Sequence, residues 1–185
     1  MSVFSNKEAL LHHYVPDLLP HRHEELERLK KWFEPVLSEK VNMKVHIYGP
    51  MGTGKTVLCN RLGRYLVDEA ERRGVNLKFV YVNMAYTPKP YHVMSVLMEK
   101  VTGNPGLGLS PEEMLINVVK KIYEEDLKLV IALDEVDTYI MEKRDPRYYI
   151  CFRGFTSLIR EPLGGSASYT FREASSGWIG LTRLP

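Results

Sequence analysis

The chain has 185 residues, with 25 Lys and Arg against 23 Asp and Glu, a formal net charge of +2. That length suits one domain with a substantial core, and the near-balance of charge excludes a global nucleic-acid footprint, so any basic surface has to be local. Two cysteines, Cys59 and Cys151, offer neither a disulfide framework nor a zinc spacing and fit a reducing setting. The first residues, MSVFSNKEALLHHYVPDL, show no basic region followed by an apolar run, and no window is long enough to span a bilayer. The expectation is a cytoplasmic protein with no membrane partner.

In chain order, the first element expected is a helix over residues 23–37 whose inner face is Leu26, Leu29 and Phe33. Three short apolar runs follow, VHIY at 45–48, FVYV at 79–82 and LVIAL at 129–133. Rich in β-branched residues and without polar alternation, they read as strands covered on both faces of a parallel sheet. Between the first two, residues 54–73 place Leu58, Leu62, Tyr65, Leu66 and Ala70 on one helical face and stop at Gly74. Residues 111–124 start at Ser110 and Pro111 and stripe Met114, Leu115, Val118, Val119 and Ile122. The alternation of strand and helix predicts a three-layer α/β domain. From about residue 144 the pattern weakens: 146–160 reads as a helix, Pro162, Gly164 and Gly165 follow, and within the polar tail SYTF at 168–171 reads as a short strand.

The chemistry centres on GPMGTGKT at 49–56, which satisfies G-x-x-x-x-G-K-[ST] between a strand and a helix. Gly49, Gly52, Thr53 and Gly54 let backbone N–H groups turn inward around a phosphate, and the helix N-terminus at Lys55, Thr56 and Val57 adds partial positive charge. Lys55 is expected on the β and γ oxygens and the Thr56 hydroxyl on Mg²⁺. The alternative is a glycine-rich turn that binds nothing; the flanking strand and helix speak against it. LVIALDEVD supplies the acidic counterpart, with Asp134 at the C-terminal edge of its strand to hold Mg²⁺ through water and Glu135 to polarise an attacking water. A solvated acidic strand end is the bland reading of that pair.

These residues resemble the initiator branch of the AAA+ ATPases, in particular archaeal DNA replication initiators of the origin-recognition and cell-division-control type. The likeness runs from Tyr14 to Ile140. YVPDLLPHRHEEL at 14–26 is similar to the family's adenine-site segment, which implies that Val15 and Pro16 pack on the adenine and that Arg22 lies near the nucleotide. The histidines there, His12, His13, His21 and His23, read otherwise as a solvated group, with no Cys or carboxylate spacing to complete a metal site. NMAYTPKPYHVMSVLMEKVTG resembles the initiators' inserted helix; Thr87, Pro88, Pro90, Tyr91 and Val93 carry the likeness, and Lys89 adds one residue to the usual Thr-Pro-Tyr. By resemblance Lys89, Tyr91 and His92 are offered to a DNA backbone, whereas Val93, Val96, Leu97 and Val101 read as the buried face of an amphipathic helix.

The fold class implied is a three-layer P-loop (AAA+) parallel sheet with flanking helices, incomplete on its C-terminal side: residues 1–13 a tail, 14–165 a partial nucleotide-binding core, 166–185 an atypical tail, and no winged-helix domain. A strand is expected between those ending at Tyr48 and Leu133, a gap that SYTF fills only weakly. The family's polar sensor has no counterpart, since no Asn follows Asn117, and a fifth strand, an arginine finger and a helical lid are not recognisable. Two readings of the ending compete, a truncated or frame-shifted product and a divergent small P-loop protein. The resemblance implies an ATP- or ADP-binding module with Mg²⁺ that couples nucleotide state to origin DNA and helicase loading, with other initiator subunits and the replicative helicase as partners, cytoplasmic at the nucleoid. Turnover is expected to be weak or absent, a missing arginine finger costing on the order of 10³ to 10⁵ in rate. Alternatives are a stand-alone P-loop NTPase of mobile-element or defence type and a DNA-binding assembly protein in which nucleotide is structural.

Overall fold

The computed structural model describes residues 22–39, 41–86, 89–136, 166–173 and 179–183. Helix α1, His23–Ser38, buries Leu26, Leu29, Val36 and Leu37, with Phe33 packed half-buried beside them. Strand β1, Asn42–Ile47, begins earlier than the apolar run suggested and ends before Tyr48, which is 46% exposed. Helix α2, Lys55–Arg72, turns the expected face of Leu58, Leu62, Leu66 and Ala70 into the core. It closes in a Schellman motif: Val75 N–H donates to Ala70 O at 2.8 Å and Gly74 N–H to Glu71 O at 3.1 Å, with Gly74 at φ 68. That left-handed turn is open to glycine without a Cβ penalty, which is why the helix stops there.

Strand β2, Leu77–Asn83, and helix α3, Pro90–Thr102, come next; helix α4, Pro111–Glu124, leads to strand β3, Lys128–Asp134. The start of α4 is a full capping box, in which the Ser110 hydroxyl accepts from Glu113 N–H at 3.2 Å and the Glu113 carboxylate from Ser110 N–H at 2.7 Å. β2 and β3 pair in parallel from Leu77 opposite Lys128 to Asn83 opposite Asp134.

The helices lie in two layers. α1 and α2 form one core with Leu77 and Val130 and with half-buried Met43, Val45 and Ile47 of β1. α3 and α4 form the other, around Val80, Val82, Leu97, Val101, Met114 and Val118. Because strand side chains alternate, β2 feeds both: Leu77 and Phe79 face α2, Val80 and Val82 face α3 and α4. α2 sits close to the sheet, since a Cβ on Gly63 would lie 2.3 Å from the Phe79 ring. The two lysines that open the strands work as helix caps. Lys78 Nζ donates to Lys100 O and Val101 O at the end of α3, and Lys128 Nζ to Val36 O, Leu37 O and Glu39 O at the end of α1, all within 3.2 Å.

Strand β4, Ser166–Glu173, is longer than SYTF alone and pairs in parallel with β1. Strand β5, Ile179–Arg183, which the sequence reading did not find, pairs antiparallel with β4. Among the described residues the order is therefore β1-β4-β5 beside β2-β3. The strand next to β1 is present, as the sequence called for, but among the described residues it does not join β1 to β3. Its other edge meets its ladder partners in β5, a run whose Ile179 and Thr182 suit a strand although Gly180 and Arg183 obscure the pattern. The helix expected over 146–160, with Pro162, Gly164 and Gly165, lies outside the described residues.

Candidate functional site

The loop between β1 and α2 takes its shape from Gly52 and Gly54, at φ 79 and 83. Both conformations are left-handed, and Gly54 immediately precedes the helix, so the chain turns sharply and leaves the first N–H groups of α2 pointing out of its end. Thr53 Oγ1 braces the turn by donating to Pro50 O at 2.9 Å. The Lys55 ammonium folds back over the loop and donates to Gly49 O at 2.9 Å and to Pro50 O at 2.8 Å. Carbonyls are weak counterparts for a full positive charge, and a phosphate oxygen within reach of that ammonium is the stronger partner.

One turn into α2 the helix meets β3. Thr56 Oγ1 donates to Asp134 Oδ2 at 2.5 Å, a charge-assisted length. The same oxygen accepts the Tyr81 hydroxyl at 2.8 Å, and Asp134 Oδ1 accepts Glu135 N–H at 3.0 Å. Burial, then the carboxylate, raises the Tyr81 phenol above its ordinary range, so the group remains a donor. Cys59, one turn after Thr56 and half-buried, has its thiol pushed up to about 12, first by burial and then by the Asp134 charge. Glu135 sits at φ 55, a left-handed turn unusual for a residue with a side chain, and is exposed directly beyond Asp134.

Of the residues singled out in the sequence, Lys55, Thr56 and Asp134 are brought together with the glycine loop, and Glu135 stands at the rim. Val57 is half-buried on α2. Arg22 precedes α1 and pairs with Glu25 at 3.2 Å. Val15, Pro16, Thr87 and Pro88 lie outside the described residues. Lys89 and His92 are exposed at the start of α3, whereas Tyr91 is half-buried against the α3–α4 core, its ring edge-on to His92 at 6.0 Å. Tyr81 and Asn83 were missed. The signal was available in the parallel register: Asn83 is opposite Asp134, and Tyr81, two residues back, shares its face.

The donor set suits a phosphate and a hard divalent cation: a hydroxyl and a carboxylate in contact, an ammonium over the adjoining loop and a helix N-terminus that follows it. Among the described residues no group of three or more His, Cys, Asp or Glu could hold a metal ion by itself.

Fold and site together define the class, a P-loop α/β domain. The family model of the AAA domain matches residues 42–147, and the chain belongs to that family, homologous to archaeal initiator proteins of the ORC1/Cdc6 type. The ORC1-type DNA replication protein 1 of Sulfurisphaera tokodaii is 33% identical over 148 residues, 80% of this chain and 36% of that protein. The Aeropyrum pernix ORC1 protein, solved in complex with DNA, superposes with a TM-score of 0.70 at 34% identity, over 83% of this chain and 40% of its own. The ADP form of the Aeropyrum pernix ORC2 protein gives 0.73 at 24% identity over 91% of this chain and 45% of its own, a likeness of fold. The chain thus spans about two fifths of the length of these proteins. Among the described residues no helix is long and apolar enough to cross a membrane.

Proposed function

We propose that this chain is the ATP-binding AAA+ module of a DNA replication initiator, in which nucleotide state controls the grip on origin DNA and, with other initiator subunits, the loading of the replicative helicase at the nucleoid. The observation that carries the reading is the Thr56–Asp134 hydrogen bond, which sets the phosphate-loop helix against the acidic strand end. In that arrangement Lys55 would exchange the Gly49 and Pro50 carbonyls for the β and γ phosphates, the α2 N–H groups would hold the phosphate chain, and Thr56 and Asp134 would hold Mg²⁺. Bound Mg²⁺ neutralises charge on the phosphate oxygens. Glu135 orients the attacking water, and hydrolysis to ADP and phosphate is slow. Val15 and Pro16 serve the adenine and Arg22 lies near the nucleotide; Lys89, Tyr91 and His92 serve the DNA backbone, the exposure of Lys89 and His92 favouring them over Tyr91. Support for the DNA role is homology to a protein solved in complex with DNA.

Equilibrium binding of a fluorescent ATP analogue tests the reading, with Lys55→Ala as control and thermal unfolding followed alongside. Saturable Mg²⁺-dependent binding, lost in a Lys55→Ala variant that unfolds at the same temperature, is the expected result. Equal binding by both proteins sinks it. Glu135→Gln then separates the ATPase reading from a structural nucleotide: slow phosphate release that falls further in the variant supports hydrolysis, and release unaffected by the change removes Glu135 from it.

A further inference from the structure

The Asp134 carboxylate is held from two sides, and only one of them belongs to the phosphate loop. From α2 comes the Thr56 hydroxyl. From β2 comes Tyr81, whose phenol reaches the same oxygen at 2.8 Å. Tyr81 lies in the strand beside β3, opposite Ala132, so a side chain on this face meets Asp134 diagonally. Phenylalanine fills the same space, so packing does not explain the hydroxyl. Behind Tyr81, on the same face of β2 and opposite Asp134, stands Asn83, whose Oδ1 accepts Ala85 N–H at 2.9 Å. Met84 N–H donates to Asp134 O at 2.9 Å. The turn at residues 84–86, which leads towards α3 at Pro90, is therefore tied to Asp134 through the backbone and to the face that carries Tyr81 through Asn83.

We infer that Tyr81 is a positioning residue for Asp134 and that Asn83 sets Tyr81, so that the carboxylate's orientation towards a divalent cation is fixed from β2 as well as from the phosphate loop. A carboxylate with two oxygens has few ways to point, and each charge-assisted donor removes some of them. With Thr56 and Tyr81 both on Oδ2 and Glu135 N–H on Oδ1, the plane of the group is settled before any cation arrives. Without the phenol the carboxylate swings about the Thr56 contact, and the water-mediated cation site has to be ordered on binding. The inference rests on the reading of Asp134 as a metal residue and adds to it the control of that site from β2.

The test is a Mg²⁺ titration of fluorescent ADP-analogue binding, measured against affinity in EDTA, for the wild-type chain, Tyr81→Phe and Asn83→Ala. Tyr81→Phe is expected to leave the EDTA affinity within about twofold and to raise the half-saturating Mg²⁺ roughly tenfold, the scale of one charge-assisted hydrogen bond. Asn83→Ala is expected to move it in the same direction by less. Unchanged half-saturation in both variants overturns the inference while leaving Asp134 a metal residue; an equal loss of affinity with and without Mg²⁺ overturns it as well, because that is what general loosening produces. If the wild type itself shows no Mg²⁺ dependence, the reading of Asp134 fails first. Should Tyr81→Phe not fold, the Asn83→Ala shift decides alone.

Discussion

The two faces of the β2–β3 pair differ along their length. Towards α3 and α4 the strands present Val80 and Val82 after Lys78, and half-buried Leu129, Ile131 and Leu133. Towards α2 they run from Leu77, Phe79 and Val130 at the base to Tyr81, Asn83 and Asp134 at the C-terminal edge. One face is core to its end; the other changes from core to chemistry within two residue pairs. A parallel sheet puts all its strand ends on one edge, so a single polar substitution at the last position of each strand builds a site without a change in the packing beneath it.

Variants can break this contrast. Leu97→Ala on the α3 face removes a side chain that is 1% exposed and is expected to lower unfolding free energy by about 2–5 kcal/mol, with nucleotide affinity unchanged where the protein is still folded; urea denaturation beside nucleotide titration checks both. Gly63→Ala on the opposite face drives a methyl into Phe79, costing about 1–3 kcal/mol as overpacking. Because α2 also carries Thr56, this variant is expected to weaken nucleotide binding as well, a coupled loss that Leu97→Ala lacks. Ser110→Ala, at the start of α4, is expected to cost about 1 kcal/mol as a lost N-cap.

That cap carries its own pH signature. The Ser110 backbone N–H and then its hydroxyl hold Glu113 below the usual carboxylate range. A depressed folded pKa gives stability that is present above the unfolded value and lost as pH falls through the folded one. Ser110→Ala keeps that backbone N–H, so the variant that reads it is Glu113→Gln, whose stability gap from wild type is expected to narrow on acidification below the ordinary carboxylate range. A gap that stays constant to the acid limit would remove the Glu113 half of the box.

The elements with strong local signals were legible. Ser110-Pro111 marked the first turn of α4, Gly74 the end of α2, and GPMGTGKT with LVIALD the halves of the site that the Thr56–Asp134 contact joins. What escaped was cross-strand. Tyr81 sits in an apolar run and reads as packing; its role emerges only when register sets it diagonal to Asp134. Lys78 and Lys128 look like solvated strand starts, yet their ammonium groups end on helix carbonyls 22 to 92 residues away in sequence. The partner of β1 was expected at 168–171. Its pairing with β5 was not, because antiparallel return depends on backbone hydrogen bonds that side-chain periodicity does not report.

The Lys128 ammonium has a mechanical meaning. It stands at the first residue of the strand whose last residue is Asp134, and it is bonded to three carbonyls at the tail of α1. Tilting α1 against that strand breaks acceptors at a single cation, all together, so the helix and the strand behave as one lever with a riveted end. A tilt of α1 about that end would have to break all three contacts together.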